Sequence, residues 1–126
     1  MLEQMAEGLA VIHGKRHMHR HIKPENVFLR KAGETLDALI PKLGDFGESR
    51  DVISSEGVAC YTKCKGTNLY MAPEVHEEEP YGTSSDVWAL GIILYEMLSG
   101  KHPFNNYRSE HKNILAIIEE EPASLP

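Results

Sequence analysis

Four histidines, His13, His17, His19 and His21, crowd into the first quarter of this chain beside Lys15, Arg16, Arg20, Lys23, Arg30 and Lys31, with only Glu3, Glu7 and Glu25 opposing them there. Imidazole carries protons near neutral pH and also ligates metals, so the cluster admits more than one chemistry. A metal tract is one reading: His13 and His17 stand four apart, the spacing of one helix face, and Cys60 and Cys64 supply softer ligands. Against it, the cysteine pair has no second pair at metal-binding spacing, and His13 falls at the end of a helix. Phosphate handling is another reading. Residues 1–31 carry a charge of +3 and the remainder −9 within a net −6. A chain this acidic is not a general nucleic-acid binder, while its basic segment is suited to receive a phosphate group. On charge alone, a solvated loop is the better explanation of the segment.

Order along the chain separates these readings. His19-Arg20-His21-Ile22-Lys23-Pro24-Glu25-Asn26, followed by Val27-Phe28-Leu29, resembles the catalytic loop H-R-D-L-x-x-x-N of eukaryotic protein kinases. Asp45-Phe46-Gly47 then matches D-F-G, and Ala72-Pro73-Glu74 matches A-P-E, with Gly66-Thr67 leading into it. Asp86-Val87-Trp88-Ala89-Leu90-Gly91 is similar to the start of that family's central buried helix, and His102-Pro103-Phe104 to the turn after it. Five matches in the required order, from His19 to Phe104, carry the resemblance; a lone D-F-G would carry nothing.

The resemblance implies ATP and Mg²⁺ as cofactors and a protein substrate. Phosphoryl transfer needs a hard cation to neutralise phosphate charge, and the family pattern gives its oxygen ligands as Asn26 and Asp45. Lys23 would contact the transferring phosphate as a point charge, and Thr67 would help position it. The K-P-E-N and G-T-x-x-Y-x-A-P-E forms are those of serine/threonine kinases. Arg20 would pair with a phosphorylated activation segment, residues 45–74, whose hydroxyls are Ser54, Ser55, Tyr61, Thr62 and Thr67, with Thr62 the first site to test. His19, Phe46, Gly47, Glu74 and Asp86 would be structural, Asp86 tying the helix start to the catalytic-loop backbone.

His21 departs from the pattern, standing where the family has the aspartate that orients the substrate hydroxyl. An imidazole can accept a proton, but it is bulkier than a carboxylate and its charged form is repelled by Mg²⁺ and by Lys23. General acid–base catalysis contributes roughly 10²–10⁴ in rate, so an impaired kinase or a pseudokinase-type interaction module is expected. No G-x-G-x-x-G loop and no V-A-I-K lysine occur in the 126 residues. The expectation is therefore a partial kinase domain over 1–126, a C-terminal lobe truncated at both ends, in which Glu74 lacks its customary arginine.

These groups need elements to hold them. Leu2, Met5, Leu9 and Ile12 recur on one helical face ending near Gly14. Residues 27–29 and 36–43, separated by a turn at 32–34, predict a hairpin with Pro41 at an edge or irregularity. Residues 44–70 show no period and predict a long loop. A core helix over 85–99 is apolar on nearly all sides, with Ser84 or Ser85 as N-cap and Gly100 as stop; an amphipathic helix follows over 110–121, ending at Pro122. The predicted class is mainly α with a small β-hairpin. Mean hydropathy of −0.36 and 25% charged residues fit an ordinary globular chain. The longest apolar run, 87–95, is under half a membrane span, and no targeting segment opens the chain. An intracellular, cytoplasmic protein with free thiols is expected, and no membrane or nucleic-acid partner; oligomeric state is open.

Overall fold

The computed structural model describes residues 1–35, 38–52, 58–60 and 68–125. Helix α1 (Leu2–Gly14) buries Met5 and Leu9, four apart, while Val11 on its far side is exposed. The predicted hairpin pairs β2 (Val27–Lys31) with β3 (Leu39–Leu43), in register from Val27 opposite Leu43 to Lys31 opposite Leu39. Pro41 sits opposite Leu29. A two-stranded ribbon accepts it because each strand has one free edge, where a missing N–H costs no ladder bond.

Two more antiparallel pairs were not anticipated. Strand β1 (His17–Met18) pairs with β4 (Arg50–Asp51), and β5 (Val58–Cys60) with β6 (Tyr81–Gly82). The stretch predicted as one long loop thus contains β4, β5 and a 3₁₀ turn at Phe46–Glu48. Strands of two or three residues are too short to show alternation, which is why pattern reading passes over them. Helix α2 (Pro73–His76) is a single turn begun by proline at its first position.

Helix α3 (Thr83–Ser99) starts two residues before the predicted core helix. Neither serine caps it: Ser85 Oγ donates to the Gly82 carbonyl at 2.7 Å, and the N-cap residue is Gly82. Its other end is as expected, with Gly100 in the left-handed region (φ 74°) and its N–H on the Glu96 carbonyl at 2.8 Å. Helix α4 (Glu110–Glu119) is two residues shorter than predicted; Glu120 is already extended, and Glu121 precedes Pro122, which disfavours helical backbone before it.

Among the described residues, then, four helices and three two-stranded antiparallel sheets form the fold, and α3 divides its interior. Ala89, Leu90 and Ile93 pack with Met5 and Leu9 of α1 and with Ile22, while Ile92 packs with Phe104, Ala116 and Ile117 of the α4 side. A third cluster, Met18, Val52 and Tyr81, closes around the two short sheets. The all-round apolar character of α3 is used on these two sides; Val87, Met97 and Leu98 on its remaining surface are about half exposed. No helix among the described residues is long and apolar enough to cross a membrane.

Candidate active site

The geometry begins at Asp86, in the first turn of α3 and 2% exposed. Its Oδ2 accepts the His19 backbone N–H at 2.8 Å and meets His13 Nε2 at 2.9 Å, while Oδ1 accepts the Arg20 N–H at 2.8 Å. A buried carboxylate is tolerable only when so satisfied, and here the satisfying donors are the backbone of the segment that holds His21. Arg20 is held in the left-handed region (φ 70°), unusual for a side chain of its size, and its guanidinium lies 5.7 Å from the Tyr81 ring centre. Arg20, Tyr70, Ala72, Tyr81 and Asp86 line one small cavity, so the arginine given a regulatory role faces the A-P-E segment from within the fold.

From there the chain inserts Ile22 into the core and turns through Pro24–Asn26. Asn26, 7% exposed, donates through Nδ2 to the His21 carbonyl at 2.8 Å, which orients its Oδ1 as the acceptor. Lys23 is partly exposed, and its carbonyl accepts the Asn26 N–H at 3.0 Å. The Asn26 carbonyl in turn takes the Gly44 N–H at 2.9 Å, linking this loop to the residue before Asp45.

His19 makes the second link. Fully buried, it donates from Nε2 to the Gly44 carbonyl at 2.8 Å, and Nδ1 accepts the His21 N–H at 3.3 Å. These partners fix a neutral ring with its proton on Nε2, and burial holds its pKa below the usual imidazole value against the opposing pull of the Gly44 bond and Asp86. Gly44 cannot carry a side chain here without displacement, because a Cβ would stand 2.4 Å from the Phe28 ring. Asp45 follows in the left-handed region (φ 58°) with its side chain 49% exposed, and Phe46, 50% exposed, meets His19 ring to ring at 4.8 Å. Gly47 continues the 3₁₀ turn on the exposed surface.

His21 and Asp45 face each other: Nδ1 lies 3.4 Å from Oδ2. Asn26, Asp45 and His21 are therefore gathered by one set of bonds, and the amide and carboxylate oxygens are of the hard type that Mg²⁺ prefers. The donor set fits such an ion. The histidine tract does not form a metal site of its own. His13 goes to Asp86, His17 to Asp51, His19 to Gly44 and His21 to Asp45, and no group of three or more His, Cys, Asp or Glu among the described residues is placed to hold a metal.

Glu74 lies in α2 and is only partly buried, so the lack of its customary arginine does not leave a fully buried carboxylate. Nearby, Tyr70 donates to Glu96 at 2.6 Å, and burial followed by that carboxylate raises the phenol's pKa. Glu96 and His13 were missed as contributors. The signal was present for Glu96, an acid inside an otherwise apolar helix that must find a donor. Thr62 and Thr67, with Ser54, Ser55, Tyr61 and Cys64, lie outside the described residues.

The chain is 40% identical to serine/threonine-protein kinase Nek5 of Mus musculus over 86% of its own length and 16% of that protein's. It is 41% identical to Mus musculus serine/threonine-protein kinase Nek3 over 94% of its length and 21% of that protein's. With serine/threonine-protein kinase 36 of Pongo abelii it shares 37% identity over 98% of its length and 9% of that protein's. The chain thus spans 16% and 21% of the length of the first two of these relatives and 9% of the third. The family model for the protein kinase domain matches residues 1–124, and the chain belongs to the protein kinase domain family.

Proposed function

We propose that the chain is the C-terminal lobe part of a serine/threonine protein kinase whose phosphoryl transfer from ATP to protein hydroxyls is impaired by His21. The gathering of Asn26, His21 and Asp45 on one hydrogen-bonded scaffold carries this reading. Kinases of this family use ATP and Mg²⁺, which supply the phosphoryl group and neutralise its charge. Asn26 and Asp45 would hold the cation through their oxygens, and Lys23 would offset phosphate charge. Thr67 would position Lys23, and Arg20 would receive a phosphate placed on Thr62. His21, 26% exposed and turned toward Asp45, would stand in the place of the hydroxyl-orienting carboxylate. The same histidine favours a second reading, a pseudokinase-type interaction module without catalysis.

Transfer of labelled phosphate from ATP to a Ser/Thr peptide by the full chain tests this. His21→Asp is expected to exceed the natural sequence by about 10²–10⁴, and adding Asp45→Ala to abolish the gain. Equal transfer with and without His21→Asp removes the impairment. No transfer in either, with Mg-ATP failing to raise the unfolding temperature, leaves the interaction module.

A further inference from the structure

His21 sets an imidazole nitrogen beside the carboxylate of Asp45. His21 Nδ1 is buried and has no hydrogen-bond partner among the described residues. Asp45 Oδ2 lies 3.4 Å away, an ion-pair contact in which no hydrogen bond is made. That separation suits a different relation. Two ligand atoms each about 2.1 Å from one ion stand roughly 3.0 Å apart at an octahedral angle and about 3.4 Å apart at a tetrahedral one. The His21 backbone is pinned at both polar atoms, its N–H on His19 and its carbonyl under Asn26. Asn26 is anchored to the same residue, its nitrogen engaged with the His21 carbonyl, which leaves its oxygen free to act as an acceptor.

We propose that His21 Nδ1, Asp45 and Asn26 form a mixed nitrogen–oxygen site that prefers a first-row transition cation such as Co²⁺, Mn²⁺ or Zn²⁺ to Mg²⁺. The proposal rests on the reading of Asn26 and Asp45 as the cation pair. Amide and carboxylate oxygens alone suit Mg²⁺, whereas imidazole adds a borderline ligand that Mg²⁺ uses poorly and the later ions use well. His21 therefore sets which ion the site selects.

Co²⁺ serves as the probe, since its visible absorption reports ligand type without any turnover. The untagged full chain is titrated at pH 7.5 with Co²⁺, then with Mg²⁺ in competition, alongside His21→Asp, Asp45→Asn and the double variant. Circular dichroism establishes that each is folded. The expected result is that the ratio of Mg²⁺ to Co²⁺ dissociation constants falls on the order of 10- to 100-fold in His21→Asp, at least the effect of losing an outer-shell partner. Asp45→Asn is expected to lose the Co²⁺ spectrum. A ratio unchanged within about twofold overturns the inference, leaving an ion pair only, as does a Co²⁺ spectrum that survives Asp45→Asn. The underlying reading is judged separately by Mg²⁺ alone: if His21→Asp binds Mg²⁺ and the double variant does not, the cation pair stands whatever the Co²⁺ ratio shows. If the double variant binds Mg²⁺ as well as His21→Asp does, the cation pair fails and the inference with it.

Discussion

His19, Arg20 and Asn26 are 0, 8 and 7% exposed, whereas Asp45 and Phe46 expose about half of their side chains. Both stretches carry a recognisable motif and lie side by side, yet they are anchored differently. The first is bonded through its backbone to a buried carboxylate on α3 and sends Ile22 into the core. The second is held to the first by the Gly44 backbone and by ring contact of Phe46 with His19. Placement of the groups that would do chemistry is thus hierarchical: α3 fixes the loop, and the loop fixes Asp45. The exposed member is the one proposed to meet a cation from solvent.

The largest expected effect tests the upper step of that hierarchy. Asp86→Ala leaves two buried N–H groups without their acceptor and should cost about 3 kcal/mol or more, read as a loss of urea-unfolding free energy. Asp45→Ala, removing a half-exposed side chain, should change it by less than about 0.5 kcal/mol. Similar costs for the two would break the comparison. Gly44→Ala tests the joint between the stretches. A new Cβ 2.4 Å from the Phe28 ring must displace it, and because Phe28 is 56% exposed the ring can yield into solvent, giving a cost of about 1 kcal/mol. Phe28→Leu in the same chain should recover most of that loss; no recovery would place the strain in the backbone instead.

The smallest effect is on pH. Burial lowers the pKa of His19, and likewise of His76 and His102, so the unfolded chain takes up these protons first as pH falls. Stability is then fully present above the unfolded value of about 6.5 and declines as pH drops from there through the lowered folded values. Protonating His19 Nδ1 also abolishes its acceptance of the His21 N–H. Unfolding midpoints at pH 7.5 and 5.5 should differ less in His19→Gln, which keeps a donor for Gly44. An undiminished difference would assign the acid sensitivity to His76 and His102.

Much of this site was legible in the sequence because motifs and periodicity are local signals. The helix face of Leu2, Met5 and Leu9, the hairpin around residues 32–34, the Gly100 stop and the ordered motifs all depend on neighbours a few residues apart. What escaped depends on distant partners. The pairings of His17–Met18 with Arg50–Asp51 and of Val58–Cys60 with Tyr81–Gly82 have no periodicity to announce them. The start of α3 was misplaced because Ser84 and Ser85 look like caps, while the helix begins at Thr83 and Asp86 is committed to another segment. The four histidines invited a common explanation, and each instead answers a separate carbonyl or carboxylate.

The bonds from Asp86 to His19 and Arg20 join residues 67 and 66 positions apart. During synthesis at about 5–20 residues per second, the loop emerges from the ribosome roughly 3–13 s before its acceptor does. Until α3 follows, the left-handed backbone at Arg20 lacks its Asp86 acceptor, so the segment bearing His21 cannot take its final shape before α3 has been made.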